Sequence, residues 1–425
     1  MLEAAAPALP PLSDEQTRAW DTVLARLAAH GIDLDASRVE ASDRADGAAE
    51  VIAITGKAGS GKTVLLAALA HALEAADLLV VRNDYEPRKQ RDRRSFAVLA
   101  PTNKAASVLQ QRGVPATTVP RVAYTPVYDP DYEKVAEWLE GERKTRPKLE
   151  GMTDEALDRA KAAHEAHGSV IGALAAAGVR GADFITGWTR RKDPLDIALV
   201  DEASMVETGQ LDDLAQIFRL IVLFGDPAQL APVGERGRMV FETLPEDRRL
   251  ALSRIHRQSA DSPILDLAHA LGDPDLGFED FERMVEEAAA RDERVVLSPR
   301  ADADLMRESP VLVWRNKTRI RLISAFRAAH GIAEGTLVPG EPLICDGLEL
   351  PLKQRKLRAE LEARGLIKGA QARYLGPGRK PAYHKVDILG TEESGISVAS
   401  IIQIERPDDP EPVMVSAARM GAMFL

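Results

Sequence analysis

The feature that most constrains the fold of this chain is a glycine-rich segment, GKAGSGKT, that runs from Gly56 to Thr63. It follows an apolar stretch, Val51–Ile54, and precedes a helical pattern, Val64–Ala76. A GxxxxGK[ST] segment between a strand and a helix is typical of a phosphate-binding loop, because its backbone N–H groups surround phosphate oxygens at the helix N-terminus. The simpler alternative, a glycine-rich turn with an incidental lysine, is disfavoured by these flanking patterns. The spacing predicts nucleotide phosphate binding by Gly56, Gly59, Ser60, Gly61, Lys62 and Thr63, with Thr63 also holding Mg²⁺.

Short apolar runs recur along the chain and alternate with longer helical patterns. This alternation is typical of an α/β protein in which helices cover a parallel sheet. Hydrophobic residues make up 45% of the 425 residues, which is enough for a buried core. The expected strands are Val51–Ile54, Phe96–Ala100, Ile197–Val200, Leu220–Phe224 and Val311–Trp314.

A long interruption, Asp129–Pro194, separates two of these strands. Helical patterns occur within it at Glu133–Arg143 and Thr153–Ala176. Because a structureless loop of this length is implausible in a compact domain, we expect a small inserted subdomain. After Gly335 the pattern changes to short β segments with glycine and proline turns.

Composition excludes several classes of protein. The 66 acidic residues outnumber the 55 basic ones and give a net charge of −11, unlike a globally basic nucleic-acid coat or a polycationic membrane binder. A single cysteine, Cys345, excludes a disulfide framework and a cysteine zinc cluster. No apolar run approaches the roughly 20 residues that span a bilayer. We expect a cytoplasmic protein with no membrane partner.

Two acidic residues, Asp201 and Glu202, directly follow the strand Ile197–Val200. At the carboxyl edge of a parallel sheet, the first carboxylate can reach Mg²⁺ and the second can polarise a water molecule. Acids in this position often cap the next helix instead. The phosphate-binding loop elsewhere in the chain favours the catalytic interpretation.

Three further segments each have two interpretations. Gln229 follows a strand and can contact a γ-phosphate, or its Asp226-Pro227 neighbours simply build a turn. Arg257 can contact phosphate or carry surface charge. In Ser13-Asp14-Glu15-Gln16, Gln16 either completes a helix capping box or contacts an adenine edge, and the two roles compete for one side chain.

The order of six sequence blocks resembles superfamily 1 DNA helicases. It is most similar to the 5′-to-3′ branch of RecD-like and Dda-like enzymes, including phage-encoded ones. The blocks are LSDEQ (Leu12–Gln16), TGKAGSGKT (Thr55–Thr63), APTNKAA (Ala100–Ala106), VDEASM (Val200–Met205), GDPAQLAPV (Gly225–Val233) and HRQ (His256–Gln258).

This resemblance implies two RecA-like motor lobes, the second carrying a small β-barrel insert, with ATP and Mg²⁺ between them. It also implies single-stranded and fork DNA as partners, together with other replication or repair proteins. Gln16 would contact adenine, Gln229 would sense the γ-phosphate, and Arg257 would approach it across the cleft. Thr102, Asn103 and Lys104 would grip the single-strand backbone, and Asp201 and Glu202 would serve the metal and the water.

The resemblance predicts domain boundaries and also has gaps. The family's Thr-Ile-His-like block reads Thr118-Val119-Pro120 here. The later blocks of the second lobe have no match, so we expect this lobe to be incomplete. We also expect the 425-residue chain to bind Mg-ATP, hydrolyse it weakly and unwind little DNA. The insert is expected at the DNA fork, with Phe184 and Trp188 as a wedge and Arg190, Arg191 and Lys192 on nearby phosphate. Alternatively, both aromatic side chains simply pack within the subdomain. The expected parts are tails at 1–12 and 411–425, a first motor domain at 13–253 with an insert at 121–195, the start of a second at 254–334, and an SH3-like β insert at 335–410.

Two other functions remain open at this point. A truncated or regulatory ATP- and DNA-binding protein would have the first-lobe blocks without unwinding activity. A small-molecule kinase would share the phosphate loop, although it would leave the segments Ala100–Ala106 and Gly225–Val233 unexplained.

Overall fold

The computed structural model divides the chain into two compact units. The first combines Met1–Thr125 with Arg190–Ser298, and the second combines Pro126–Thr189 with Pro299–Leu425. No described helix is long and apolar enough to cross a membrane. The residues described are 10–41, 49–83, 93–149, 152–167, 170, 173–174, 177, 185–232, 238–254, 262–273, 275–298, 302–308, 311–313, 315–333, 336–344, 370–378, 383–389 and 396–399.

The first unit is built on a seven-stranded sheet in which every strand pairing is parallel. In chain order, the strands up to the edge strand β11, which include two smaller strand pairs outside this sheet, are β1 (Ile32–Asp33), β2 (Arg38–Val39), β3 (Glu50–Gly56), β4 (Leu79–Val80), β5 (Ser95–Ala100), β6 (Ala116–Thr118), β7 (Tyr124–Tyr128), β8 (Ile185–Arg190), β9 (Leu195–Val200), β10 (Phe218–Gly225) and β11 (Arg249–Leu252). The sheet order is β11-β3-β10-β9-β5-β4 with β6 beside β5, while β1 pairs with β2 and β7 with β8.

Helices accompany the strands, as expected for an α/β fold, so the predicted fold class is confirmed. Four of the five expected strands are present as β3, β5, β9 and β10. The helices are α1 (Asp14–Ala29), α2 (Lys62–Ala75), α3 (Asn103–Gln110), α4 (Val119–Ala123), α5 (Pro130–Leu139), α6 (Asp154–His167), α7 (Thr208–Ala215), α8 (Pro263–Ala270), α9 (Phe278–Arg291), α10 (Ala303–Glu308) and α11 (Asn316–Ala329).

The central strands are buried on both faces. Every residue of β5 and of β9 is buried, which is typical of a parallel sheet covered by helices on both sides. On one face, Phe96 packs in a cluster with Leu27 of α1 and Leu69 of α2. On the other face, Leu214 of α7 and Phe241 belong to a second cluster. These two apolar layers fix the sheet on which the site is built.

Parallel pairing brings the carboxyl ends of four strands to one edge of the sheet. Gly225 of β10 pairs with Thr55 of β3, and Leu252 of β11 pairs with Gly56. Val200 of β9 pairs with Leu223. Ligands of open α/β sheets bind outside these carboxyl ends, so the loops after β3, β9 and β10 meet where a ligand is expected.

The inserted segment begins with β7 and ends with its pairing partner β8, and the two helices α5 and α6 lie between these strands. Helices are present in both predicted regions, but α5 begins three residues earlier and ends four residues earlier than the expected Glu133–Arg143. Val135 and Leu139 of α5 pack in one buried cluster with Leu157 and Ala160 of α6. The described part of the insert therefore has an apolar core of its own.

The remainder of the second unit contains α10, α11 and a four-stranded antiparallel sheet. Arg327 at the end of α11 forms an ion pair with Glu341. Closure of the sheet into a barrel stays a prediction. Its strands are β12 (Pro342–Ile344), β13 (Gln371–Pro377), β14 (Tyr383–Ile388) and β15 (Ile396–Ala399).

One expectation for this region needs correction. The strand expected at Val311–Trp314 is wrong for its described residues, since Val311–Val313 has no regular secondary structure and Leu312 is 92% exposed. An apolar run forms a strand only where a neighbouring strand accepts its hydrogen bonds. The structure groups the chain up to Ser298 with the first unit, and the domain boundary expected after Ser253 stays a prediction.

Candidate nucleotide-binding site

The glycine-rich segment forms a tight loop between β3 and α2. Gly59 and Gly61 have φ angles of +88° and +85°, a left-handed conformation that side chains with a Cβ rarely adopt. A Cβ on Gly56 would lie 2.5 Å from Ser60 Oγ and 2.6 Å from the carbonyl oxygen of Leu252. These glycines are therefore required by backbone geometry, and the loop is packed against the end of β11.

Lys62 begins α2 and turns its ammonium back onto its own loop. Its Nζ donates to the carbonyl oxygen of Gly56 and, at 3.1 Å, to that of Lys57. Burial lowers the pKa of Lys62, while the negative charges of Asp226, Glu202 and Asp201 act in the opposite direction. The cation is thus held at the loop centre, where phosphate oxygens can replace the two carbonyls.

Asp201 and Glu202 lie at the carboxyl end of β9, as predicted. Burial raises the pKa of Asp201 to about 6, and the neighbouring charge of Glu202 adds to the effect. Glu202 has a φ of +50°, a left-handed conformation for a residue with a Cβ. Such strain is often found at functional sites, and here it turns the chain sharply after the strand.

The donor set at this edge fits a magnesium nucleotide. Thr63 offers a hydroxyl and Asp201 a carboxylate, both hard oxygen ligands of the kind that Mg²⁺ prefers. Ser60 Oγ is buried without a hydrogen-bond partner among the described residues, so a phosphate oxygen would satisfy it. The described residues contain no cluster of three or more histidine, cysteine or acidic side chains for a metal.

Gln229 lies in the turn after β10 and is fixed from two sides. Its backbone N–H donates to the carbonyl oxygen of Asp226 at 3.2 Å. The buried hydroxyl of Ser204 donates to its Oε1 at 2.6 Å. A Cβ on Gly225 would lie 2.3 Å from the ring of Phe241, so the turn can follow the strand only with glycine at this position.

Gln16 performs the capping role and makes a second contact that sequence analysis did not foresee. Its Oε1 accepts from the Ser13 N–H at 2.8 Å, while Ser13 Oγ accepts from the Gln16 N–H at 3.4 Å. Its Nε2 also donates to the carbonyl oxygen of Gly61 at 3.0 Å. The predicted capping box is therefore confirmed, and the same side chain joins α1 to the phosphate-binding loop.

Glu15, to which sequence analysis gave no role, connects the same helix to the end of β11. Its carboxylate accepts from the N–H and the hydroxyl of Ser253 and from the N–H of Arg254. The N–H contacts measure 2.7 and 3.0 Å. Glu15 lies beside Gln16 in the quoted block, but nothing local in the sequence indicates a partner 238 positions away. Arg257 itself lies outside the described residues.

The three residues expected to grip DNA lie at the start of α3, after β5. Thr102 is the helix N-cap, and its Oγ1 accepts from the Ala105 N–H at 3.2 Å. Lys104 is exposed, whereas Asn103 is partly buried. The hydroxyl of Thr102 thus has a structural role in the capping of α3.

The basic residues expected beside the insert are mostly engaged within the protein. Arg190 pairs with Asp213 at 3.0 Å. Buried Arg191 donates to the carbonyl oxygens of Val122 and Asn83. Contact of these residues with phosphate stays a prediction, for which exposed Lys192 is the best placed of the three. Phe184 lies outside the described residues.

The AAA domain family matches residues 37–293, which is more than half of the chain. No curated protein is similar enough in sequence to match. Among solved structures, Pif1 helicase from Candida albicans is 16% identical, with 97% of this chain and 86% of that one covered at a TM-score of 0.40. Bacteroides Pif1 bound to ssDNA is 13% identical, with 95% and 79% covered at a TM-score of 0.42.

The matched segment contains most of the site described above. The phosphate-binding loop, the Asp201–Glu202 pair and the Gln229 turn all fall within it, and each follows a strand of one parallel sheet. With its sheet, its loop and its acidic pair in this arrangement, the chain belongs to the AAA domain family.

Proposed function

We propose that this protein is an ATP-hydrolysing DNA helicase or translocase of the 5′-to-3′ superfamily 1 type. The observation that carries the proposal is the convergence of three sequence blocks at one sheet edge. These are the phosphate-binding loop, the Asp201–Glu202 pair and the Gln229 turn, each after a parallel strand. A small-molecule kinase would leave the Gln229 turn unexplained.

Each residue at this edge of the sheet has its own role in hydrolysis. Lys62 exchanges its two loop carbonyls for β- and γ-phosphate oxygens and stabilises the charge that develops there. Thr63 and Asp201 would hold Mg²⁺, which neutralises phosphate charge when it is bound. Glu202 accepts a hydrogen bond from the attacking water and orients it. Gln229 donates its amide N–H to a γ-phosphate oxygen.

Two further contacts to the nucleotide belong to this proposal. Gln16 contacts the adenine edge when its amide exchanges the Ser13 N–H and the Gly61 carbonyl oxygen for the donor and the acceptor of the base. Arg257 supplies positive charge to the γ-phosphate. Both roles rest on the resemblance of the LSDEQ and HRQ blocks to those of superfamily 1 helicases.

DNA is proposed to bind next to the segment after β5. Exposed Lys104 contacts the phosphate backbone, which requires no base sequence. Thr102 and Asn103 support it at the start of α3. Single-stranded and fork DNA are the proposed partners. Stacking and backbone contacts, the usual basis of sequence-independent binding, would hold them.

The test is phosphate release by the 425-residue chain with Mg-ATP, with and without single-stranded DNA. DNA should stimulate release, and Lys62→Ala should reduce it by more than about 100-fold because the transition state loses several kcal/mol. Glu202→Gln should keep nucleotide binding and slow hydrolysis. Lys134→Ala, which removes a lysine of α5, is the matched control and should leave release unchanged.

Unwinding of a forked duplex with a 5′ tail separates the proposal from its alternative. DNA-stimulated hydrolysis with unwinding supports the helicase. Binding of both ATP and DNA without unwinding would support the regulatory protein instead. Turnover by Lys62→Ala within threefold of the wild type would contradict the assignment of the loop.

A further inference from the structure

Ser204 has no role in the proposed chemistry, yet it contacts a residue that does. It lies in a single 3₁₀ turn, Ala203–Met205, that directly follows the strained Glu202. Its side chain is fully buried, with 0% exposure. Its hydroxyl donates to Gln229 Oε1 at 2.6 Å across 25 positions of sequence.

This hydrogen bond determines which end of the Gln229 amide faces outward. An amide has an oxygen that accepts and an NH₂ group that donates. Because Ser204 occupies the oxygen, the NH₂ group is the end left for another partner. The oxygens of a γ-phosphate only accept hydrogen bonds, so only this orientation of the amide attracts the phosphate.

The position of Ser204 also joins two parts of the site. Glu202 precedes it by two residues in the turn after β9, and Gln229 follows β10, the neighbouring strand. The backbone of the Gln229 turn is held by Asp226, whose Oδ1 accepts from the Ala228 N–H at 2.9 Å. The side chain of Gln229 is exposed, and its amide oxygen is held by the Ser204 hydroxyl.

We propose that Ser204 is a positioning residue that holds the Gln229 amide with its NH₂ group toward the γ-phosphate. The inference rests on the proposed ATP hydrolysis. Through the same turn, Ser204 ties the carboxylate that orients water to the amide that contacts the phosphate. Loss of the hydroxyl lets the amide rotate and present its oxygen, which repels phosphate. The chemical step is then slowed, while nucleotide binding through the loop remains.

The experiment compares Ser204→Ala, Gln229→Ala and the double variant in DNA-stimulated phosphate release. Ser204→Ala should lower kcat about tenfold and leave the KM for ATP within twofold. In the Gln229→Ala background, the same substitution should lower kcat by less than twofold. Ser204→Thr keeps the hydroxyl and should restore kcat to within threefold of the wild type.

Ser95→Ala is the matched control, because Ser95 is another buried serine whose hydroxyl donates to a side chain, Asp196 Oδ2 at 3.1 Å. It should leave kcat within twofold, with folding of every variant checked by circular dichroism. If the extra methyl of Ser204→Thr prevents folding, the double variant decides. An equal loss from Ser204→Ala in both backgrounds, or a loss confined to KM, would overturn the inference.

The proposed function and this inference fail in different ways. A wild-type chain that does not hydrolyse ATP overturns both. A wild-type chain that hydrolyses ATP, together with an unimpaired Ser204→Ala variant, overturns only the role of Ser204.

Discussion

Asp201 is a buried carboxyl group next to a second acidic residue, and both circumstances favour its protonated form. Its pKa in the fold is about 6, against an ordinary value of 3.8. The folded state therefore binds this proton more tightly than the unfolded chain does. Stability should be lost as pH rises from about 4 through 6, so the ionised group at neutral pH lowers stability. Without a cation, the ionised carboxylate of Asp201 therefore lowers the free energy of unfolding at neutral pH.

We predict that Asp201→Asn stabilises the metal-free protein at pH 8. A shift of about 2 pKa units corresponds to about 3 kcal/mol of unfolding free energy. The gain should be present above pH 6 and should disappear near pH 4, where the wild-type carboxyl is protonated. Urea unfolding in EDTA at pH 4.5, 6 and 8 measures it. Parallel pH profiles for the two proteins would show that Asp201 titrates normally.

At the scale of elements, the first turn of α1 connects two loops of the site. Gln16 contacts Gly61 of the phosphate-binding loop, and Glu15 contacts the chain at Ser253 and Arg254. The hydrogen bonds from Ser253 and Arg254 lower the pKa of Glu15. One helical turn therefore holds the loop and the end of β11 in a fixed relation.

We predict that Glu15→Gln lowers the melting temperature at pH 7 more than Asp14→Asn does. Both changes remove one charge from the same helix N-terminus, so the helix dipole contributes equally to both. Only Glu15 loses charge-assisted hydrogen bonds. Because its pKa is depressed in the fold, this contribution is present above the ordinary value of 4.5 and is lost as pH falls below it. Melting curves from pH 3 to 7 follow the difference, and equal effects of both variants would contradict it.

The sheet shows which elements can be predicted from sequence. Central strands such as Leu195–Val200 are largely apolar because both faces are buried, and that continuity is visible in the sequence. Leu79–Val80, Ala116–Thr118 and Arg249–Leu252 are too short or too polar to give such a signal. Val311–Val313 gives the signal without forming a strand.

The features of the site also differ in whether they can be predicted from the sequence. The loop from Gly56 to Thr63 was predictable because its chemistry depends on spacing within eight residues. The contacts of Ser204 with Gln229 and of Glu15 with Ser253 join residues 25 and 238 positions apart. No local pattern encodes such pairs, because the pairing of β9 with β10 brings Ser204 to Gln229 and the packing of α1 beside β11 brings Glu15 to Ser253.

At the scale of the whole molecule, the residues where the chain enters and leaves the insert are held by contacts within the first unit. Asp213 of α7 accepts from the Tyr124 hydroxyl at 2.7 Å and pairs with Arg190 at 3.0 Å. Tyr124 begins β7 and Arg190 ends β8. Further along the same two strands, Trp188 is 54% exposed and Val127 is 42% exposed. Large apolar side chains exposed on a strand pair are candidates for contact with unstacked bases.

We predict that removal of residues 129–184, with a short glycine-serine turn joining Tyr128 to Ile185, spares DNA-stimulated ATP hydrolysis and reduces unwinding. Hydrolysis should survive because the contacts of Asp213 with Tyr124 and Arg190 remain. Unwinding should fall because the insert is proposed to act at the fork. Trp188→Ala should reduce unwinding in the same direction without altering hydrolysis.

The control for that experiment is Trp138→Ala. Trp138 is a partly buried side chain that packs against the core of α5 and α6 within the insert. If Trp188 contacts bases, its loss should weaken binding to forked DNA, while loss of Trp138 should chiefly lower the stability of the insert. A fluorescence unwinding assay on a fork with a 5′ tail, paired with phosphate release on the same samples, separates the two effects. Unchanged unwinding both after removal of residues 129–184 and after Trp188→Ala would show that the fork is opened elsewhere, and equal effects of the two tryptophan substitutions would show that Trp188 only packs.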